Sequence, residues 1–264
     1  MNMTLLRLLL DTSDIVLRLE LSFAVLSICF LVFFIFQKFL PNFLFGEDAQ
    51  YAGYIYNAMG VVFSIVFAFI TVLVWQSYNN VDDAITKESN NLNSIYRLFS
   101  AFPPEVESKG RDALRDYTKT AIEVEWPLLS QDQFSIEAYK KFLTLENLII
   151  HIQPQNIGQS NAHQQILHLM TQSAELRRSR IYNAKFALAP PAWIGLISSS
   201  MIFLVFSCLF RMKSTQTHLI LILFLGLTIV GVLYFLMLFI HPFLGPMAIG
   251  PDAFSNLLKS AWTY

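Results

Sequence analysis

From Asn57 to Thr71 a small or polar residue recurs every third or fourth position, namely Asn57, Gly60, Ser64, Ala68 and Thr71, and Tyr78 continues the same helical face. Such a face does not suit lipid. An amide and hydroxyls at that spacing can meet ions or water along a pore, with Phe63, Phe67 and Ile70 on the adjoining face as a hydrophobic constriction. The same pattern also serves close packing of membrane helices through small residues, and spacing does not separate the two. Asp82 and Asp83 follow on the same helix. Copies arranged around an axis would set them as rings of negative charge at a mouth, and the plain alternative is a solvated helix face.

A second set of chemical groups lies further on. Glu123, Glu125 and Trp126 precede the cluster Arg177, Arg178 and Arg180, and a carboxylate–guanidinium pairing of Glu125 with Arg177 and Arg180 would hold two helices in register. A paired-carboxylate active site is the sharper alternative, but no nucleophile, metal constellation or phosphate loop accompanies it, so no enzyme and no cofactor is expected. His163 and His168 are five residues apart and fall on different helix faces, while His151, His218 and His241 are isolated, so no metal site is expected. Cys29 and Cys208 both sit in apolar stretches, where a thiol behaves as a small hydrophobe.

The elements that must position these residues follow from composition. Apolar residues make up 55% of the 264, and charged residues only 14%, against about 25% in a soluble domain. The charges also concentrate between Lys87 and Lys185. A spanning helix needs about 20 mostly apolar residues, and four stretches qualify: Ile15 to Phe36, Tyr51 to Trp75, Phe186 to Phe210, and Leu219 to Ile240. Asp11, Asp14 and Glu20 stand where a signal peptide would be positive, so the first span is expected to be retained. The net charge of −1 gives no basic footprint for nucleic acid. Lys38, Arg211 and Lys213 lie on one side of the spans. Arg7, Arg18, Lys87, Arg177, Arg178, Arg180, Lys185 and Lys259 lie on the other, which favours both termini and the insert in the cytoplasm.

The expected fold is an all-α membrane protein of four transmembrane helices, with a cytoplasmic helical bundle inserted between spans two and three. Its parts are residues 1–76 (N-terminal segment and spans one and two), 77–185 (bundle), 186–241 (spans three and four) and 242–264 (amphipathic tail). Span two should run on to about Ser100, because Val81, Ile85, Leu92, Ile95 and Phe99 recur at helical spacing with Asp82, Asp83, Lys87 and Glu88 between them. Pro104 can open the next helix and Pro127 stops or kinks it. A third helix covers Ser135 to His151, Gln153 to Gln165 reads as a loop, and a fourth starts near Ala162. Asp252 to Trp262 reads as a short amphipathic helix lying on the surface or on a neighbour.

Several of these residues resemble the bestrophin-like membrane proteins of bacteria over nearly the whole chain. The resemblance rests on the small-rich second span leading into Trp75-Gln76-Ser77-Tyr78, then Glu88, Tyr117, Glu125-Trp126-Pro127, the Arg177 to Arg180 cluster and Pro242-Phe243-Leu244-Gly245. It implies four spans with a cytoplasmic helical part and a homo-oligomeric ion channel lined by the second span. True bestrophins are pentameric anion channels. Their calcium-binding acidic cluster has no counterpart here, and His241 stands where an acidic residue is expected before the Pro-Phe-x-Gly motif. A site that uses that acid in relatives is altered in this chain.

The expected function is therefore a homo-oligomeric channel of a bacterial inner membrane, whose partners are lipid, further copies of itself and inorganic ions. The alternative is a membrane-anchored interaction or signalling protein whose helical bundle recruits a partner. A secondary transporter fits less well, because four spans without repeat symmetry or broken helices supply no alternating-access device.

Overall fold

Lipid offers no water to backbone amides, so a long apolar stretch satisfies them along its own axis as a helix. The computed structural model describes residues 10, 13–46, 49–185 and 188–262; Arg7, Asp11 and Phe186 lie outside them. The helices are α1 (Asp14–Phe39), α2 (Ala49–Leu98), α3 (Pro104–Thr120), α4 (Ile136–Ile150), α5 (Ile157–Tyr182), α6 (Pro190–Cys208) and α7 (Thr215–Phe239). Of these, α1, α2, α6 and α7 are long and apolar enough to cross a membrane. Among the described residues no strand occurs beyond one isolated bridge, Phe45 to Phe210. The chain divides into two compact units, Met1–Gln76 with Phe186–Met247, and Ser77–Lys185 with Ala248–Tyr264.

In the first unit α1 packs most extensively on α7. Cys29, Phe33, Leu204, Cys208 and Ile222 form its buried core. Close approach depends on Gly226, where a Cβ would lie 2.8 Å from Cys29 Sγ. Polar bonds hold the same pair of helices at one end: Arg18 donates to the Tyr234 hydroxyl at 3.0 Å, and that hydroxyl donates to Asp14. Pro190 and Pro191 occupy the first turn of α6, where the missing amide costs nothing.

In the second unit the continuation of α2 buries Val81, Ile85, Leu92, Ile95 and Phe99, a spacing of three or four that presents one face. Glu88 departs from expectation: it is fully buried rather than solvated between those residues. Caps explain where the later helices begin. Ser135 accepts from the Ala138 amide at 3.0 Å and Asn156 from the Gln159 amide at 2.9 Å. Because Asn156 caps, α5 starts at Ile157, and most of the loop expected over Gln153 to Gln165 is helix. Gly158 sits in its first turn. Pro127 cannot return an amide to the helix behind it, and the chain widens there into a π-helical turn over Ala121–Glu125 before Trp126–Leu129 resumes. The tail packs into this unit: the Phe254 ring lies 5.2 Å from Trp126, and Trp262 stacks on Tyr96 at 4.8 Å.

Candidate functional site

Along its apolar part, α2 has one face turned into its own chain. Ala52, Phe67 and Val74 are buried and Tyr56 and Phe63 half-buried. The ring of Phe203 on α6 stacks on Tyr56 at 4.5 Å and on Phe63 at 5.2 Å, and Phe63 meets Phe67 edge-on at 4.8 Å. Gly60 belongs beside this face, because a Cβ there would come within 3.3 Å of Phe203. Phe63 and Phe67 therefore line the contact within the chain, Phe67 keeping only 6% of its surface exposed, and Ile70 is half-buried.

About a quarter turn round the helix lies a different surface. Asn57, Ser64 and Ala68 are exposed, and Thr71 is half-buried. Ser64 donates to the Gly60 carbonyl at 2.8 Å and Thr71 to the Phe67 carbonyl at 2.9 Å, so their outward capacity is as acceptors. The Asn57 amide makes no hydrogen bond among the described residues. On the side of Asn57 away from Phe67, the exposed residues are Val61 (60%), Ile65 (50%) and Val72 (58%). Asp82 and Asp83, further along α2 in the second unit, are exposed, and Lys87 pairs with Asp83 at 3.7 Å.

Polar groups also join all four apolar helices of the first unit. The Tyr56 hydroxyl meets Ser207 Oγ at 2.8 Å, the buried His218 reaches the Ser207 carbonyl through Nε2 at 3.1 Å, and Gln37 Nε2 lies 3.3 Å from His218 Nδ1. With the amide donating to Nδ1, Nε2 is the ring nitrogen that donates to the Ser207 carbonyl. His218 is isolated in the sequence but partnered in the fold. His241, fully buried, accepts from the Phe243 amide through Nδ1 at 3.2 Å.

The second unit brings Glu125, Arg177 and Arg180 together, and adds two groups that the spacing did not assign to them, Glu88 and Tyr117. Arg180 donates from Nε to Glu88 Oε2 at 2.9 Å and from Nη2 to Glu125 Oε1 at 2.9 Å, while Arg177 Nη2 pairs with Glu125 Oε2. The Tyr117 hydroxyl donates to Glu88 Oε1 at 2.7 Å. Two carboxylates and two guanidiniums cancel, which is the condition for holding charges out of water. Burial alone would lower the Arg180 guanidinium, but Glu88 and Glu125 outweigh it and raise it above its ordinary value. Burial, and then the Glu88 charge, hold the Tyr117 phenol well above its ordinary value, so it remains a donor. The Trp126 ring lies 4.8 Å below Arg180 and completes the enclosure. Glu123 is elsewhere, 4.0 Å from Lys119, and Arg178 is exposed. Among the described residues no group of three or more His, Cys, Asp or Glu is placed to hold a metal ion.

A family model described as a bestrophin-like domain matches residues 23–254. Solved structures of similar fold include a point mutant of a bacterial bestrophin homolog from Klebsiella pneumoniae. It shares 10% identity and a TM-score of 0.63, with 92% of this chain and 97% of that one covered. A crystal structure of a membrane protein mutant matches at 13% identity and a TM-score of 0.60, covering 95% of this chain and 97% of that chain. No curated protein matches the sequence.

Proposed function

The chain belongs to the bestrophin-like family, and from that premise we propose that it is a homo-oligomeric ion channel of the bacterial inner membrane, lined by α2. The observation that carries this is Asn57. Its amide is exposed and unpartnered in the single chain, eight residues into α2 and so about 12 Å along the helix. An amide left in hydrocarbon costs several kcal/mol, on the order of 4–8, so this face demands water or a polar neighbour. Ser64 and Ala68 extend it, and Thr71 flanks it.

Phe63, Phe67 and Ile70 support the lining helix from behind in this proposal, since Phe63 stacks on α6, Phe67 is buried and Ile70 is half-buried. The hydrophobic constriction then falls to Val61 and Ile65, which share the exposed side with Asn57. The second unit forms a cytoplasmic vestibule with Asp82 and Asp83 at its mouth, both termini are cytoplasmic, and a pentamer is the count the family likeness suggests. In this reading the buried Glu88, Glu125, Arg177 and Arg180 set stiffens that vestibule and is not an active site.

Purified protein in planar bilayers should conduct inorganic ions, and Asn57→Leu, Val61→Ala and Ile65→Ala should each change conductance or selectivity. Currents untouched by all three would remove the lining assignment. A monomer that does not conduct would favour a membrane-anchored interaction protein instead.

A further inference from the structure

Beside the buried ionic set, and wholly within the second unit, a pocket of about 300 Å³ opens between α4 and α5. Phe134, Tyr139 and Phe142 wall it, and Ala174, Arg177 and Arg178 complete it. None of the residues lining it is acidic. We propose that this pocket binds a small organic carboxylate with an aromatic or branched apolar body.

Arg177 carries the case. Only 7% of it is exposed, yet its one hydrogen-bonded nitrogen is Nη2, used by Glu125. Its Nε is buried without a partner. Buried donors without acceptors are rare because each forfeits its hydration for nothing. A carboxylate is the acceptor whose two oxygens match the fork of a guanidinium.

Charge and shape agree with that ligand. Glu88 and Glu125 already balance Arg177 and Arg180, so the exposed Arg178 leaves the pocket electropositive. The Tyr139 and Phe142 rings lie 5.6 and 5.9 Å from the Arg177 guanidinium carbon, giving a flat apolar wall next to the anion position. A volume near the lower end of small-molecule sites suits a compact body rather than a nucleotide. The proposal goes beyond the channel reading and does not depend on it, because binding is read on purified protein without any current.

Isothermal titration of the full chain in a neutral detergent, with benzoate, benzamide and inorganic phosphate as probes, tests it. Benzoate should bind saturably at one site per subunit. Benzamide, of the same shape but uncharged, should bind at least about tenfold more weakly, a difference of about 1.4 kcal/mol. Phosphate, without the apolar body, should also bind more weakly than benzoate. Arg178→Gln, an exposed change that leaves the buried set intact, should weaken benzoate about tenfold, and Ala174→Phe should fill the pocket and abolish binding. No benzoate binding at millimolar concentration would overturn the assignment. Equal affinity for benzamide, phosphate at least as tight as benzoate, or binding unmoved by both variants would do the same.

Discussion

Tyr117 shows how far one hydroxyl depends on its surroundings. It donates to Glu88 at 2.7 Å in a place without water, so ionising it would put a second negative charge against a buried carboxylate. Its pKa in the folded chain is thus raised above the ordinary value near 10, and the hydrogen bond stabilises the fold fully at pH below that value and is lost as pH rises above it. At neutral pH, Tyr117→Phe should cost about 1.5–3 kcal/mol, the range for a bond to a charged group. The gap between wild type and variant in denaturant melts should narrow progressively above pH 10, and a gap that stays constant to the alkaline limit would refute the role given to the phenol. Glu88 itself was not legible from its neighbours. Among Asp82, Asp83 and Lys87 it reads as one more solvated charge, and only Arg180, 92 residues on, draws it inside. Glu125 and the arginines stood out because Arg177, Arg178 and Arg180 form a cluster and Glu123 and Glu125 offer it carboxylates. His241 had looked like the loss of an acid, but its Nδ1 accepts the Phe243 amide two residues on, the turn bond an aspartate would make.

Helices were legible where their apolar spacing is regular, and their ends where a proline or serine marks them, as at Pro104 and Ser135; a less conspicuous cap was missed. The four apolar spans and the continuation of α2 follow from hydropathy and period. The start of α5 depends on the Asn156 side chain, which turns a polar, glycine-containing stretch into helix. Packing between elements is less legible still, as Gly110 illustrates. In the middle of an exposed helix, replacing glycine by alanine gains about 1 kcal/mol. Here a Cβ would lie 2.2 Å from the Phe99 ring, which is fully buried and cannot swing away. Gly110→Ala should therefore destabilise the second unit by about 1–3 kcal/mol, the usual cost of overpacking, measured as an earlier unfolding transition by circular dichroism. A melt unchanged or raised in temperature would mean that α3 has freedom to shift from Phe99. The widened turn at Ala121–Glu125 is a related case: Pro127 signalled a stop or a kink, and the chain takes the second course, resuming as helix over Trp126–Leu129.

For the molecule as a whole, hydropathy identifies the spans because lipid selects composition, and it fails to identify a lining because watery faces and dry packing faces use the same small residues. Within one chain Phe67 is buried, whereas Asn57, Ser64 and Ala68 remain uncovered. Uncovered polar groups at membrane depth are unstable in a lone chain, so the physical alternatives are a water-filled axis or a dry contact with a sister chain, and chemical access distinguishes them. Native mass spectrometry from nanodiscs should report three or more copies per particle. In the same particles Asn57→Cys and Ser64→Cys should react with a charged, membrane-impermeant thiol reagent, while Phe67→Cys stays protected. Cys29 and Cys208, both free and buried, leave little background. Closed oligomers in which Asn57→Cys reacts no faster than Phe67→Cys would make the stripe a dry seam, and a monomeric particle would leave no axis for it to line.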